Sequence, residues 1–377
     1  MNPFFFPRLG GLERRIYHVG RLHARKGHRV TVVTGAVEGH PDRERMDGIE
    51  VVRLPSKRLP IRWDPPVMRT RGVAAALREL DPDVVDFHYR WAPEVTRDVV
   101  AACGVGEGRI PWVFTAHNQY GEGKGLLRPL SLLNDRRFYR KTATAHRLVC
   151  VSRFLQGELE RRGTDPGRLV TVPNGAARPE VGGPEWEPDD HRASPRSPYV
   201  VAIGRLTPEK GADLCVRALA DAVGRGADLR MVYLGRGPRA KRVVRLASRI
   251  GVADRFTLAG WVPEGTKWRL LDGALAYLHM ARFEAYGISI AEAIVAGTPP
   301  IVADVGGTSE VVGDAGVMVP AGDASAAGAA LARVAGEPAL REALRRKAVA
   351  RAPVLSWKTV ADRMEGVYAD AAASGVR

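Results

Sequence analysis

At 377 residues, 45% apolar and 26% charged, the chain is long enough for two domains with separate cores and too apolar for a disordered polymer. The net charge of +15 admits nucleic acid or an anionic membrane as partners, yet no recognition helix or aromatic platform accompanies it, and nucleic acid is set aside. Cys103, Cys150 and Cys215 are too few and scattered for a disulfide framework or metal site, and no window reaches the roughly 18 apolar residues of a membrane span, so a cytoplasmic protein is expected.

The chain opens MNPFFFPRLGGLERRIYHVGRL. Asn2, Pro3, Pro7 and the pair Gly10–Gly11 form loops, and Leu12, Ile16, Val19 and Leu22 then recur at helical steps. Gly27 ends that helix, and Arg29–Thr34 reads as a buried strand. A glycine pair entering a helix ordinarily follows a strand, and here only Met1 and Asn2 precede Pro3. The first strand of the N-terminal domain is thus expected to be missing, and a misplaced start codon is the expected reason.

Further strands are predicted at Asp83–Phe87, Trp112–His117, Leu148–Ser152 and Leu169–Gly175, with a helix over Arg69–Leu80. Residues 1–180 hold 31 Lys and Arg against 20 Asp and Glu, and the densest basic run is RPLSLLNDRRFYRK, Arg128–Lys141. Either a solvated basic face or contact with an anionic membrane surface or acceptor accounts for it; Arg outnumbers Lys 48 to 9, which favours a compositional origin. Residues 177–198, dense in Pro, Gly and charge, read as a linker.

Strands resume at Tyr199–Arg205, Leu229–Gly237, Phe256–Val262, Ala274–Met280 and Pro299–Gly307. Val- and Leu-rich runs without strict alternation are buried on both faces, as in parallel sheets. Their alternation with helices predicts two α/β domains, 1–176 and 199–355. The closing segment, 356–377, carries an amphipathic helix with Trp357, Val360, Met364 and Val367 on one side.

The second half carries the informative chemistry. GRLTPEKG places Arg205 just after a strand and Lys210 five residues on, where strand ends of an open parallel sheet border a ligand crevice. Two cations there can straddle a diphosphate. In RFEAYGISIAEAIVAG, Glu284 follows a strand, Gly287 opens a helix and Glu292 lies about one turn into it. The amides of Gly287, Ile288 and Ser289 then suit phosphate oxygens, Glu292 suits a ribose, and Glu284 suits sugar hydroxyls or a developing positive centre.

These residues, with GTPPIVADVGGTSEVV, resemble the retaining glycosyltransferases of family 4. PRLGGLERR, PDVVDFH, FTAHN and VTVPNGA extend the resemblance over nearly the whole chain. It implies the GT-B fold: two Rossmann-like domains facing across a cleft, the last helix crossing back to the first domain. It further implies that Arg205 and Lys210 hold the diphosphate of a nucleotide-sugar, Glu292 its ribose, and that Glu284 lies against the donor sugar. His117 matches the N-domain histidine that approaches the transferred sugar, and Gly10 and Gly11 match the loop that closes over the phosphates. The expected reaction is sugar transfer with retention, without metal or cofactor, to a sugar, lipid-linked or small-molecule acceptor. Tyr286, Ala281 and Pro300 depart from the commoner Phe, Ser and aliphatic residue, but no charged group is lost. A non-catalytic sugar-nucleotide-binding protein and a nucleotide-sugar epimerase of the same fold are the alternatives; the second class lacks the E-x7-E arrangement.

Overall fold

The computed structural model describes residues 1–7, 10–59, 66–104, 109–118, 128–182, 187, 189 and 198–375, so most of the expected linker, 177–198, lies outside the described residues. The chain divides into two units, Met1–Asn174 with Trp357–Arg377, and Gly175–Ser356.

In the first unit, α1 (Gly11–Arg25) leads to β1 (Val30–Gly35), β2 (Arg43–Met46), β3 (Ile49–Leu54) and a hairpin of β4 (Ser56–Arg58) and β5 (Met68–Thr70). Next come α2 (Val73–Leu80), β6 (Val85–Phe87), α3 (Pro93–Ala102), β7 (Trp112–Ala116) and α4 (Arg128–Lys141). The series ends with β8 (Arg147–Cys150), α5 (Arg153–Glu160) and β9 (Leu169–Thr171). Strands β6, β7, β8 and β9 pair parallel in that order, while β1 pairs parallel with β3.

Between these two groups lie Met1–Pro3. The Asn2 amide donates to the Val33 carbonyl at 3.1 Å, and the Gly35 amide donates to the Pro3 carbonyl at 3.3 Å. On the other side the His88 amide donates to the Met1 carbonyl at 3.1 Å, and the Met1 amino group donates to the Asp86 carbonyl. Three residues therefore hold the central position for which the sequence offered no apolar run. Phe5 and Phe6 follow it into a core with Ile16, Tyr17, Val32, Ile49 and Val51.

Two local expectations are corrected. Helix α2 begins at Val73, not Arg69, because Met68–Thr70 is spent on pairing with Ser56–Arg58. The antiparallel β2–β3 pair was not anticipated; exposed charges on β2 hide its strand character.

The C-terminal helix, Trp357–Gly375, belongs to this unit. Trp357, Val360, Met364 and Val367 are buried, the His18 ring stacks on Trp357 at 4.9 Å, and His23 Nε2 lies 2.9 Å from the Ala361 carbonyl. The Arg15 guanidinium, buried on α1, donates to the Val172 and Pro173 carbonyls at 3.1 and 2.8 Å and sits 3.2 Å from Met364 Sδ. One cation thus ties α1 to the end of the first domain and to the last helix.

The second unit contains β10 (Tyr199–Ile203), α6 (Ala212–Gly224), β11 (Arg230–Leu234), α7 (Ala240–Arg249), β12 (Phe256–Gly260) and α8 (Glu264–Gly273). It continues with β13 (Ala276–His279), α9 (Ile288–Val295), β14 (Pro300–Ala303), α10 (Thr308–Val312), β15 (Val317–Val319) and two further helices. All six strands are parallel, in the order β12-β11-β10-β13-β14-β15. Succession runs one way from β10 and restarts on its other side at β13. Ligand crevices of open α/β sheets lie at such a switch, outside the carboxyl ends of the strands.

Candidate active site

The loops at that switch carry the charged residues picked out in the sequence. Arg205 and Lys210 follow β10, and Glu284 follows β13. Close backbone packing holds the loops together. A Cβ on Gly211, whose φ is +63°, would fall 1.8 Å from the Met280 carbonyl oxygen. One on Gly306, at φ +59°, would fall 2.0 Å from that of Glu284. The Arg282 amide donates to the Glu209 carbonyl at 2.7 Å, and its guanidinium holds both oxygens of Asp213 at 2.9 and 2.7 Å.

Lys210 Nζ lies 2.6 Å from Glu284 Oε2, and His279 Nε2 lies 3.4 Å from the same oxygen. Burial opposes the charge on Glu284, but the Lys210 ammonium and the His279 ring outweigh it and hold the carboxyl well below its usual range. Glu284 is therefore a carboxylate at neutral pH. It accepts hydrogen bonds and opposes positive charge, and has no proton to give. Behind it the Tyr277 hydroxyl sits 3.1 Å from His279 Nδ1 and donates to Ser289 Oγ at 2.8 Å. Arg205 is more open, its guanidinium half exposed and 3.6 Å from Glu209.

Gly287 is the N-cap of α9, Ile288 and Ser289 form its first turn, and Glu292 lies one turn on. Glu292 is buried, with Oε1 2.8 Å from Lys267 Nζ, which is also 2.8 Å from Glu264. At the ends of β11 and β12, the Arg236 guanidinium sits 6.0 Å over the ring of Trp261, itself 49% exposed. Among the described residues, no cluster of three or more His, Cys, Asp or Glu could hold a metal ion.

The remaining candidates belong to the first unit. His117 follows β7, partly buried, with Nε2 3.1 Å from His88 Nδ1. Gly10 is the N-cap of α1 and Gly11 its first residue. Sequence reasoning missed His88, Lys267, His279 and Arg282. The two histidines each end a buried strand, which was the available signal. Lys267 and Arg282 read as ordinary surface cations until their carboxylate partners are seen.

Residues 9–177 match the model of Glycosyltransferase Family 4, and residues 185–351 match that of Glycosyl transferases group 1. A phosphatidylinositol N-acetylglucosaminyltransferase component from Arabidopsis thaliana is 27% identical, over 83% of this chain and 68% of its own. A GDP-mannose-dependent alpha-(1-6)-phosphatidylinositol dimannoside mannosyltransferase of Mycobacterium tuberculosis is 28% identical, over 82% of this chain and 80% of its own. Among solved structures, sucrose-phosphate synthase from Thermosynechococcus elongatus superposes with a TM-score of 0.74 at 19% identity, over 95% of this chain and 93% of its own, which shows the fold. With parallel α/β sheets in both units and these matches across both halves, the chain has the GT-B fold and belongs to the family 4, group 1 glycosyltransferases, enzymes that move a sugar from a nucleotide-sugar donor to an acceptor.

Proposed function

We propose that the chain is a retaining, metal-independent glycosyltransferase that delivers its sugar to an anionic, lipid-linked acceptor of the inositol-phospholipid kind. The observation that carries the site is the Lys210–Glu284 pair at the β10/β13 switch. Departure of a nucleoside diphosphate leaves positive charge on the sugar and negative charge on the phosphates. Arg205, Lys210 and the first-turn amides of α9 address the negative charge, and preorganised donors of this kind carry much of an enzyme's rate enhancement. They supply the role a metal ion would otherwise fill. Glu284, held ionised, receives the sugar hydroxyls and balances the ring's positive charge.

Glu292 takes the ribose hydroxyls, and the Arg236–Trp261 pair offers a flat face to the base. His117, Gly10 and Gly11 are assigned to the sugar and the phosphates from the first unit. Transfer to the same face of the sugar, assisted by the leaving phosphate, is the course that the resemblance to retaining enzymes implies.

The acceptor class rests on two supports. The Arabidopsis and mycobacterial relatives are named for phosphatidylinositol-based acceptors. Helix α4 also exposes one face that runs from Leu130 (59%) and Leu133 (44%) to Arg136, Arg137, Arg140 and Lys141, while Ser131, Asp135 and Phe138 are buried. Apolar side chains beside a basic cluster suit the interface of an anionic membrane, and no helix among the described residues is long and apolar enough to cross one. On this reading the enzyme works at the inner face of the cytoplasmic membrane.

The test is a screen of UDP-, GDP- and ADP-sugars for thermal protection, then transfer to phosphatidylinositol-containing vesicles in EDTA with the product anomer read by NMR. Retained configuration and EDTA-resistant transfer support the reading; inversion or a strict metal requirement contradicts it. Binding of a donor that no acceptor ever consumes would favour a non-catalytic sugar-nucleotide-binding protein.

A further inference from the structure

His88 and His117 directly follow the adjacent parallel strands β6 and β7, and their rings meet edge to edge, with His88 Nδ1 3.1 Å from His117 Nε2. At that separation one nitrogen carries the proton and the other the lone pair. The far side of His88 decides which. His88 Nε2 faces Asp86 Oδ2 at 3.4 Å. The Asp86 carboxylate accepts the Tyr368 hydroxyl on Oδ2 at 2.7 Å and the Thr115 hydroxyl on Oδ1 at 2.9 Å, two donors that favour its ionised form. A bare lone pair on His88 Nε2 would be repelled by that carboxylate, so the His88 proton sits on Nε2. His88 Nδ1 is then an acceptor, and His117 Nε2 must be the donor to it.

Burial leaves both rings neutral at neutral pH, pressing each well below the ordinary imidazole value, with the Met1 amino group, Arg15 and Arg90 adding to the effect. Burial likewise raises the Asp86 carboxyl, countered by Tyr368, the Met1 amino group, Thr115 and Arg15. Each neutral ring has one N–H, so fixing Nε2–H on His117 leaves its Nδ1 bare.

We propose that His88, backed by Asp86, is a positioning residue that holds His117 in the Nε2–H tautomer, leaving Nδ1 as an acceptor for a hydroxyl of the transferred sugar. This rests on the reading that His117 faces that sugar. The chain Tyr368–Asp86–His88–His117 also explains why the last helix sends a tyrosine to a strand end: it completes the carboxylate that sets the tautomer of the second ring.

The test uses the full chain carrying isotope-labelled histidine, with ring-nitrogen NMR patterns assigned through His88→Gln and His117→Gln. Both rings are expected as neutral Nε2–H tautomers. Asp86→Asn can offer an amide proton to His88 Nε2, and is expected to switch both rings to Nδ1–H. It should lower kcat by about 10-fold or more with donor KM little changed, as tautomer reversal does in other enzymes that orient a histidine through a carboxylate. A wild-type His117 found as Nδ1–H, or as a charged ring, overturns the proposal without recourse to any variant. So does an Asp86→Asn protein whose two patterns are unaltered. Full transfer by His117→Ala would instead sink the placement of His117 beside the sugar and leave the tautomer assignment standing.

Discussion

Lys267 puts its ammonium 2.8 Å from both Glu264 and Glu292 in a buried setting, so a single cation is shared by two carboxylates. Removing one member of such a set leaves charge buried without compensation, which costs more than the intact set contributes. Lys267→Met is therefore expected to lower unfolding free energy by about 3 kcal/mol in urea titration, and to weaken donor binding through misplacement of Glu292. An unchanged midpoint would show that solvent reaches the pair. Glu284 and Glu292 were legible in the sequence because the stretch around them is apolar or glycine, where two carboxylates need a reason. Lys267 was not legible: its neighbours in the chain include Glu264, Arg269 and Asp272, which read as an ordinary solvated helix face. Its function depends on Glu292, distant in sequence, and no local pattern contains that.

Loops and strand ends, more than whole helices, position the charged groups. Gly211 is required twice over, by a left-handed backbone and by the Met280 carbonyl against it. Gly211→Ala is expected to cost at least about 2 kcal/mol and to separate Lys210 from Glu284, seen as lost thermal protection by donor. Wild-type stability would mean that the two loops tolerate separation. In the first unit, the imidazoles at the ends of β6 and β7 set an acid limit. Their folded-state proton affinities lie well below the ordinary value of 6.5 because they are buried, so the unfolded chain binds more protons as pH falls through that value. The stability they contribute is complete above about pH 7 and declines below, by up to about 1.4 kcal/mol per pH unit for each ring. Melting temperature should drop from pH 7.5 to 5.5, and less so in His88→Gln; an equal drop would assign the loss to other groups. At this scale the sequence showed the long β-α alternation well. It did not show the β2–β3 pair, where an exposed charged edge carries no hydrophobic period and is defined only by its partner.

Across the whole molecule, two α/β units share a single chain. The last helix is part of the first unit and buries Trp357, Val360 and Met364 there, with Arg15 and Tyr368 making polar ties. A chain ending at Ser356 should lose the cooperative melting of the first unit while donor still protects the second; two intact transitions would contradict that dependence. The proposed membrane contact through α4 predicts that the triple variant Arg136→Ser, Arg137→Ser, Arg140→Ser detaches from anionic vesicles in flotation, with thermal stability unchanged. The central claim is that an ionised Glu284, paired with Lys210, serves the transferring sugar. Glu284→Gln keeps the shape and removes the charge, so it isolates that claim. With a donor chosen by thermal protection, single-turnover transfer by this variant should fall by about 100-fold or more while the donor still binds. Transfer at the wild-type rate would contradict the account.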